Sequence, residues 1–389
     1  MLMTPGLALF YGGMVQGKNV LSTFMHSFFA LGLVTIQFAL IGYSLVFGTS
    51  YHGVIGGLEL VGLEGITETS MHGTVPTLAF VAYQCMFAVI TPALISGAFA
   101  ERMKFSAYAV FTLAWTTLVY DPIAHWTWGT HGWLADLGAI DYAGGTVVHL
   151  SSGISALVVA LVLGRRRGYP TVRHAPHDLT MTVIGAGILW FGWFGFNAGG
   201  AGANGTASLA LFNTHIAAAA GALTWSIVEG SRIRKVTMLG VASGLVAGLV
   251  AITPAAGYVS PLVAIAIGVA AGGICYGAVV MKGKLGYDDS LDAFGVHGVG
   301  GATGALLTGV FARAALNNGN GGGLSLLGHQ AVSIAAAGAW AVVVTFVLLK
   351  VVDLTIGLRV DAETESDGLD GALHGESAYG SPGGIAHGS

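Results

Sequence analysis

Two histidines are set apart by where they fall. Thr146-Val-Val-His149-Leu-Ser-Ser-Gly153 and Phe294-Gly-Val-His297-Gly-Val-Gly-Gly301 each place an imidazole in an apolar, glycine-rich run, with glycine four residues later. Among the 13 histidines of the chain these two lie most clearly inside such runs. An ionisable side chain within a membrane-length apolar segment is a functional candidate by default. Burying a charge is costly, so both rings are expected to stay largely neutral, each with one donor and one acceptor nitrogen. Spacing alone leaves two readings open. Either each ring is a core histidine satisfied by a backbone carbonyl, or the two line one narrow path.

Other chemistry finds less support. His125 and His131 lie six apart near His149, but zinc needs three or four ligands at tight spacing, and these two form no His-x2-His or His-x3-His pair. No nucleophile motif, phosphate loop or dinucleotide fingerprint appears. Gly185-Ala-Gly187 sits within an apolar run and carries no signal in so glycine-rich a chain. Cys85 and Cys275 are read as free core thiols. Glu101-Arg102 reads as an ordinary interfacial cap. Trp126, Trp128 and Trp133 cluster in one connector; for Trp126 and Trp133 an interfacial aromatic belt suffices. Asp141 begins an apolar run and is a natural helix N-cap. Its charge would also sit close to a cation entering above His149. Phe87 and Phe196, single aromatics inside spans, read as core.

The elements that position these residues follow from composition. Only 9% of the 389 residues are charged, 54% are hydrophobic and 62 are glycine. A typical soluble domain carries about 25% charge. Disordered, coiled-coil and nucleic-acid-binding classes fail on the same figures, since net charge is −4 and glycine is too frequent. What fits is an all-α polytopic membrane protein whose helices approach closely through small residues. Runs long enough to cross a bilayer, about 20 residues each, fall at 20–47, 76–99, 105–124, 143–163, 179–197, 206–229, 236–256, 259–281, 290–312 and 325–350. Met1–Met14 is apolar but spans only about 20 Å at ~1.5 Å per residue. It reads as the second half of an eleventh span, truncated at its N-terminus, with no cleavable signal peptide before it.

Basic residues give the orientation, because Lys and Arg collect in cytoplasmic connectors. With the connector after Met14 inside, the inside segments hold Lys18; Arg102 and Lys104; Arg165, Arg166, Arg167 and Arg173; Arg232, Arg234 and Lys235; Lys282 and Lys284; Lys350 and Arg359. That is 14 of 15, leaving only Arg313 outside. The expected topology therefore has the N-terminus outside and the C-terminus in the cytoplasm. The outer connectors hold Glu59, Glu64, Glu68, Asp136 and Asp141, either as merely polar loops or as a face that mildly concentrates cations. Residues 1–358 form the transmembrane domain. Residues 359–389 form an acidic tail, with Asp361, Glu363, Glu365, Asp367, Asp370 and Glu376 and no base after Arg359. The tail is expected to be solvated, or ordered against a partner.

The two histidine segments lie five spans apart and so run in opposite directions. Phe10-Tyr11-Gly12-Gly13 is loosely echoed by Phe196-Asn197-Ala198-Gly199-Gly200. Together they suggest an inverted 5+5 repeat plus a final helix, an arrangement that places transporter sites where the halves meet.

At this point the residues carry a resemblance. Phe10-Tyr11-Gly12-Gly13 with Gly17-Lys18-Asn19-Val20-Leu21, Asp141-Tyr-Ala-Gly-Gly-Thr-Val-Val-His149, Gly192-Trp-Phe-Gly-Phe-Asn-Ala198 and Asp292-Ala-Phe-Gly-Val-His-Gly-Val299 resemble the ammonium transporter / methylammonium permease / Rhesus family. Asp353-Leu-Thr-Ile-Gly-Leu-Arg-Val360, Gly368-Leu-Asp370 and His374-Gly-Glu-Ser-Ala-Tyr379 extend the likeness through the tail. It runs in order along the whole chain and is nearest to the bacterial and archaeal ammonium transporters.

The resemblance implies an eleven-span inverted-repeat fold, a homotrimer with one pore per subunit, and conduction of ammonium or ammonia (methylammonium as analogue) across the cell membrane. By similarity, His149 and His297 are the twin pore histidines, Phe87 and Phe196 the stacked phenyl gate, and Trp193 a pore-lining residue. Trp128 flanks the outer ammonium site, holding the cation over its ring for about 0.5–2 kcal/mol. Asp141 is the acid needed for ammonium handling, and Tyr83 adds an outer aromatic. Gly200 departs from the pattern, standing where many members have a serine that hydrogen-bonds ammonium. No cofactor, metal or nucleic acid is implied; a PII-class signal protein at the cytoplasmic face is. The rivals are an ammonium sensor, for which the stretch after Arg359 is too short to supply a signalling domain, and a histidine-based membrane metalloenzyme.

Elementary physics suits this route. Potassium and ammonium are similar monovalent cations, so size cannot separate them. Moving either one intact through a dry constriction is costly. Ammonium alone can leave a proton behind and cross as neutral ammonia.

Overall fold

The structure, a computed structural model, describes residues 1–172 and 174–380. Arg173 of the inside connectors and positions 381–389 of the tail lie outside the described residues. Apolar runs become helices because a lipid-facing backbone must satisfy its own polar groups. In chain order they are Met3–Met14 (α1), Gly17–Phe47 (α2), Thr77–Phe99 (α3), and α4, built from Phe105–Trp115, a π turn at Thr116–Tyr120 and Asp121–Trp128. Then come Gly145–Leu163 (α5), Leu179–Ala198 (α6), Gly205–Ile233 (α7), Met238–Ile252 (α8), Pro261–Leu285 (α9), Phe294–Phe311 (α10) and Leu324–Thr355 (α11). Among the described residues, eight helices are long and apolar enough to cross a membrane: α2, α3, α5, α6, α7, α9, α10 and α11. The π turn in α4 ends at Asp121-Pro122, where proline cannot continue the regular ladder.

Bulky apolar side chains such as Leu40, Ile227, Leu262 and Leu354 stand on the outside. The polar groups Thr91, Thr112, His125, Asn213 and Thr345 are buried. This inverts a soluble protein and suits a lipid solvent. Two short antiparallel hairpins, Ser50–Tyr51 with Ile55–Gly56 and Met71–His72 with Val75–Pro76, occupy the connector between α2 and α3.

Packing is paired across the chain. α1 lies along α6; α2 packs on α3 and α4, as α7 packs on α8 and α9; α3 meets α5 as α8 meets α10. Glycine makes the central contact possible. A Cβ on Gly153 would overlap the backbone of Gly298, and one on Gly301 would stand 2.6 Å from the Gly145 carbonyl. The glycines four residues after each histidine are thus the crossing points of α5 and α10. Each histidine also lies in a π turn, Gly145–Leu150 and Phe294–Gly298. Such turns widen the helix and are frequent at functional sites.

The tail departs from the sequence expectation. It is docked on the protein's own connectors. Val360 N–H donates to the Arg102 carbonyl, Lys104 N–H to that of Leu358, and Leu369 N–H to Asn19 Oδ1. Asp370 caps the start of α2 by accepting from Leu21 and Ser22 N–H at 3.0 and 2.8 Å. A short helix, Ala362–Asp367 (α12), is clipped by Glu365 to Arg359.

Candidate functional site: a histidine-lined path

The path can be followed from the outside inward. Trp128, at the end of α4, donates its indole N–H to the Asp141 carbonyl at 2.9 Å and stands edge-on to Phe87, with ring centroids 5.6 Å apart. Tyr83, one turn before Phe87 on α3, meets it edge-to-face at 4.8 Å and donates its hydroxyl to the Phe196 carbonyl at 2.6 Å. Phe87 of α3 and Phe196 of α6 stack at 4.1 Å and 22°, both buried. Gly200 lies beside Tyr83; a Cβ there would sit 3.1 Å from the phenol oxygen.

Below the stacked phenyl rings lie the histidines. Their Nδ1 atoms are 3.3 Å apart and their ring planes lie within 19° of each other, with centroids 5.3 Å apart, so the rings meet edge to edge. One Nδ1 therefore donates to the other, which requires different tautomers on the two rings. His149 Nε2 takes no protein partner among the described residues. Trp193 lies against a face of His149 at 5.1 Å, and its N–H is held by Thr253 Oγ1 at 2.9 Å. Beyond His297 a cavity of about 30 Å³ is lined by Tyr11, Ser243, Asp292 and His297. The site residues expected from sequence thus meet in one column.

Asp141 holds that column in place. Its carboxylate accepts backbone N–H bonds from Gly144, Gly145, Thr146 and Val147, at 2.7 to 3.1 Å. It therefore saturates the orphan donors at the start of α5. The equivalent group in α10 was not singled out from sequence. Asp289 accepts from Ala293 and Phe294 N–H at 3.1 and 2.8 Å. Its signal was present: Asp289 precedes His297 by the same eight residues that separate Asp141 from His149. Burial pushes the Asp289 carboxyl up to about 6, against the pull of Lys282.

Three sequence readings are corrected. Glu101 and Arg102 are no surface cap. Arg102 is fully buried and donates to the Asp288, Ala98 and Gly164 carbonyls. Glu101 accepts from Gln16 N–H, Asn19 Nδ2 and Arg166 Nη1. Arg166 also forks onto Asp288 at 2.9 Å through Nε and Nη2. Burial would raise Asp288, but the Arg166 fork holds it below its ordinary value. Trp126 is buried and donates to the Val54 carbonyl, so it belongs to the core, not to a lipid-facing belt. The tail, finally, is docked through its buried Gly368–Asp370 segment, while Asp361, Glu363, Asp367 and Glu376 stay exposed. The metal alternative gains nothing: His125 spends both nitrogens on Ser50 Oγ and the Val46 carbonyl. Among the described residues no group of three or more His, Cys, Asp or Glu could hold a metal ion.

Comparison with known proteins places this geometry. Residues 1–379 match the model of the Ammonium Transporter Family. An ammonium transporter of Bacillus subtilis is 51% identical over 97% of this chain and 95% of its own length. Ammonium transporter Amt1 of Archaeoglobus fulgidus is 44% identical, with 97% and 96% covered. Saccharomyces cerevisiae Mep2 superposes with a TM-score of 0.87 at 40% identity, over 93% of this chain and 85% of Mep2. A solved structure described as "Sensor Amt Protein" gives 0.90 at 30% identity, with 96% and 95% covered. From the first residues to the tail, this chain belongs to the Ammonium Transporter Family.

Proposed function

We propose that the protein transports ammonium by capturing it at the outer vestibule and separating it into neutral ammonia, which passes along the histidine column, and a proton, which crosses apart from it so that net charge moves. The carrying observation is the position of His149 and His297, joined at 3.3 Å directly beneath the Phe87–Phe196 stack. Rings that exclude water raise the cost of carrying an ion through. Neutral imidazoles beyond them offer hydrogen bonds that ammonia can use and a potassium ion cannot. Trp128 presents a ring face to the incoming cation, Tyr83 fixes the gate through Phe196, and Asp141 fixes α5 and thereby His149. The relatives named ammonium transporter and the family membership support the substrate.

The eleven helices α1–α11 are read as an inverted repeat of α1–α5 and α6–α10 followed by α11. The paired packing and the two π turns support that reading. It carries no enzymatic step. Fourteen of 15 basic residues on one side put the N-terminus outside and the docked tail in the cytoplasm of a cell membrane. Assembly as a homotrimer, and binding of a PII-class signal protein to the cytoplasmic connectors and tail, rest on the family resemblance.

The test is electrophysiology on reconstituted protein on supported membranes. Ammonium is expected to evoke transport and potassium is not. His149→Ala or His297→Ala is expected to change the rate or the selectivity over potassium. Unchanged currents and unchanged selectivity in both variants would sink the pore assignment.

A further inference from the structure

Outside Tyr83 lies a cavity of about 290 Å³ between the Met71–Pro76 hairpin, the first turn of α3 and the glycine run after α6. Its polar lining is unusual in kind. The His72 ring lies flat on Phe80, with centroids 3.7 Å apart and planes at 10°. That stack holds the imidazole by its face and leaves the two nitrogens at its edge. Tyr83 spends its hydroxyl proton on the Phe196 carbonyl, so its oxygen is left only as an acceptor. Gly200, beside that oxygen, contributes no side chain. With Thr74 the one further polar side chain among otherwise small or apolar lining residues, the His72 edge and the Tyr83 oxygen are acceptors suited to a small cation that carries N–H donors of its own.

We propose that His72 is a substrate-capture residue, whose ring nitrogen accepts a hydrogen bond from ammonium in this cavity and supplies the acceptor that Gly200 lacks. The inference rests on the ammonium reading above and adds a specificity-determining residue to it. His72 and Gly200 line the same cavity, and a hydroxyl on Gly200 would enter it next to Tyr83. A hydroxyl at position 200 would therefore offer an acceptor within the cavity that His72 lines.

The experiment measures ammonium-evoked current against ammonium concentration, on the full chain in supported membranes. His72→Phe keeps a ring against Phe80 without a nitrogen. It should raise the half-saturating concentration roughly three- to tenfold, the loss of one hydrogen bond, with the maximal current little changed. His72→Gln should stay near wild type, and Gly200→Ser added to His72→Phe should recover most of the loss. An unchanged half-saturating concentration in His72→Phe overturns the proposal. So does a loss that neither His72→Gln nor Gly200→Ser recovers, since His72 would then merely hold the hairpin. A wild type without ammonium current would instead remove the functional reading beneath it, so the two failures are distinguishable.

Discussion

Gly153 of α5 and Gly298 of α10 meet backbone to backbone, with no room for a Cβ on Gly153. This contact lies one turn beyond His149 and immediately after His297, so it sets how near the two rings come. Small residues at helix crossings let membrane helices approach this closely. Gly153→Ala is expected to push α5 and α10 apart, costing about 1–3 kcal/mol of overpacking. Loss of thermal stability in detergent, together with loss of ammonium conduction, is the expected result. Gly187→Ala is the control, because a Cβ there meets nothing within 4 Å. A Gly153→Ala protein as stable and active as the control would mean that the crossing does not set the histidine geometry.

Asp141 offers a second prediction. Four buried amides donate to its carboxylate, two to each oxygen. Asp141→Ala leaves all four unpaired at the start of α5, a cost of at least about 3 kcal/mol. Asp141→Asn keeps one acceptor oxygen and should fall between alanine and wild type in both stability and conduction. The ordering is read from unfolding midpoints and from initial ammonium currents. Equal behaviour of the two variants would show that charge, and not capping, is what Asp141 supplies.

The readability of this molecule followed the range of the forces involved. Eight of the ten expected runs came through, because an apolar run of bilayer length is a local signal; the run expected at 143–163 is the helix Gly145–Leu163. His149 and His297 stood out because an imidazole in such a run is rare, and the fold brings their Nδ1 atoms within 3.3 Å. The Glu101–Arg102–Arg166–Asp288 cluster did not. Its members sit in three separate connectors, each of which alone looks like an ordinary charged loop. Nor did the docked tail, where Asp370 finds its partner Leu21 349 positions away. Asp289 is the instructive miss. Its eight-residue offset from His297 was legible, but only once a helix cap was known to matter to the histidine behind it.

Arg166 yields the third prediction. It bridges Glu101 and Asp288 at 2.7 and 2.9 Å, with all three side chains at least nine-tenths buried. Removing one partner of such a pair leaves uncompensated buried charge, typically costing about 3–5 kcal/mol. Arg166→Met should therefore destabilise this platform of connectors and expose the tail. Limited proteolysis should then cut near 359–370 faster than in wild type. Asp370→Ala should release the same segment with a smaller loss of global stability, since it removes only the two bonds to Leu21 and Ser22. Equal protease resistance of the tail in all three proteins would contradict a role for this cluster in docking it.

The last prediction concerns pH and comes from Asp289. Its folded-state value is raised from 3.8 to about 6, chiefly by burial. A raised acid binds its proton more tightly in the folded state than in the unfolded one. Its contribution to stability is therefore fully present below about 4 and is lost as pH rises through about 6. In Asp289→Asn that titration is absent. The difference in unfolding midpoint between wild type and Asp289→Asn should thus change between pH 4 and 6.5, moving in favour of wild type as the medium is acidified, and level off above and below. The comparison cancels every group the two proteins share, including Asp288, whose depressed carboxyl loses its contribution at lower pH still. Parallel pH profiles for the two proteins would show that Asp289 is not held as a raised acid. Asparagine, with one oxygen in place of two for Ala293 and Phe294 N–H, would then report the cost of the cap alone.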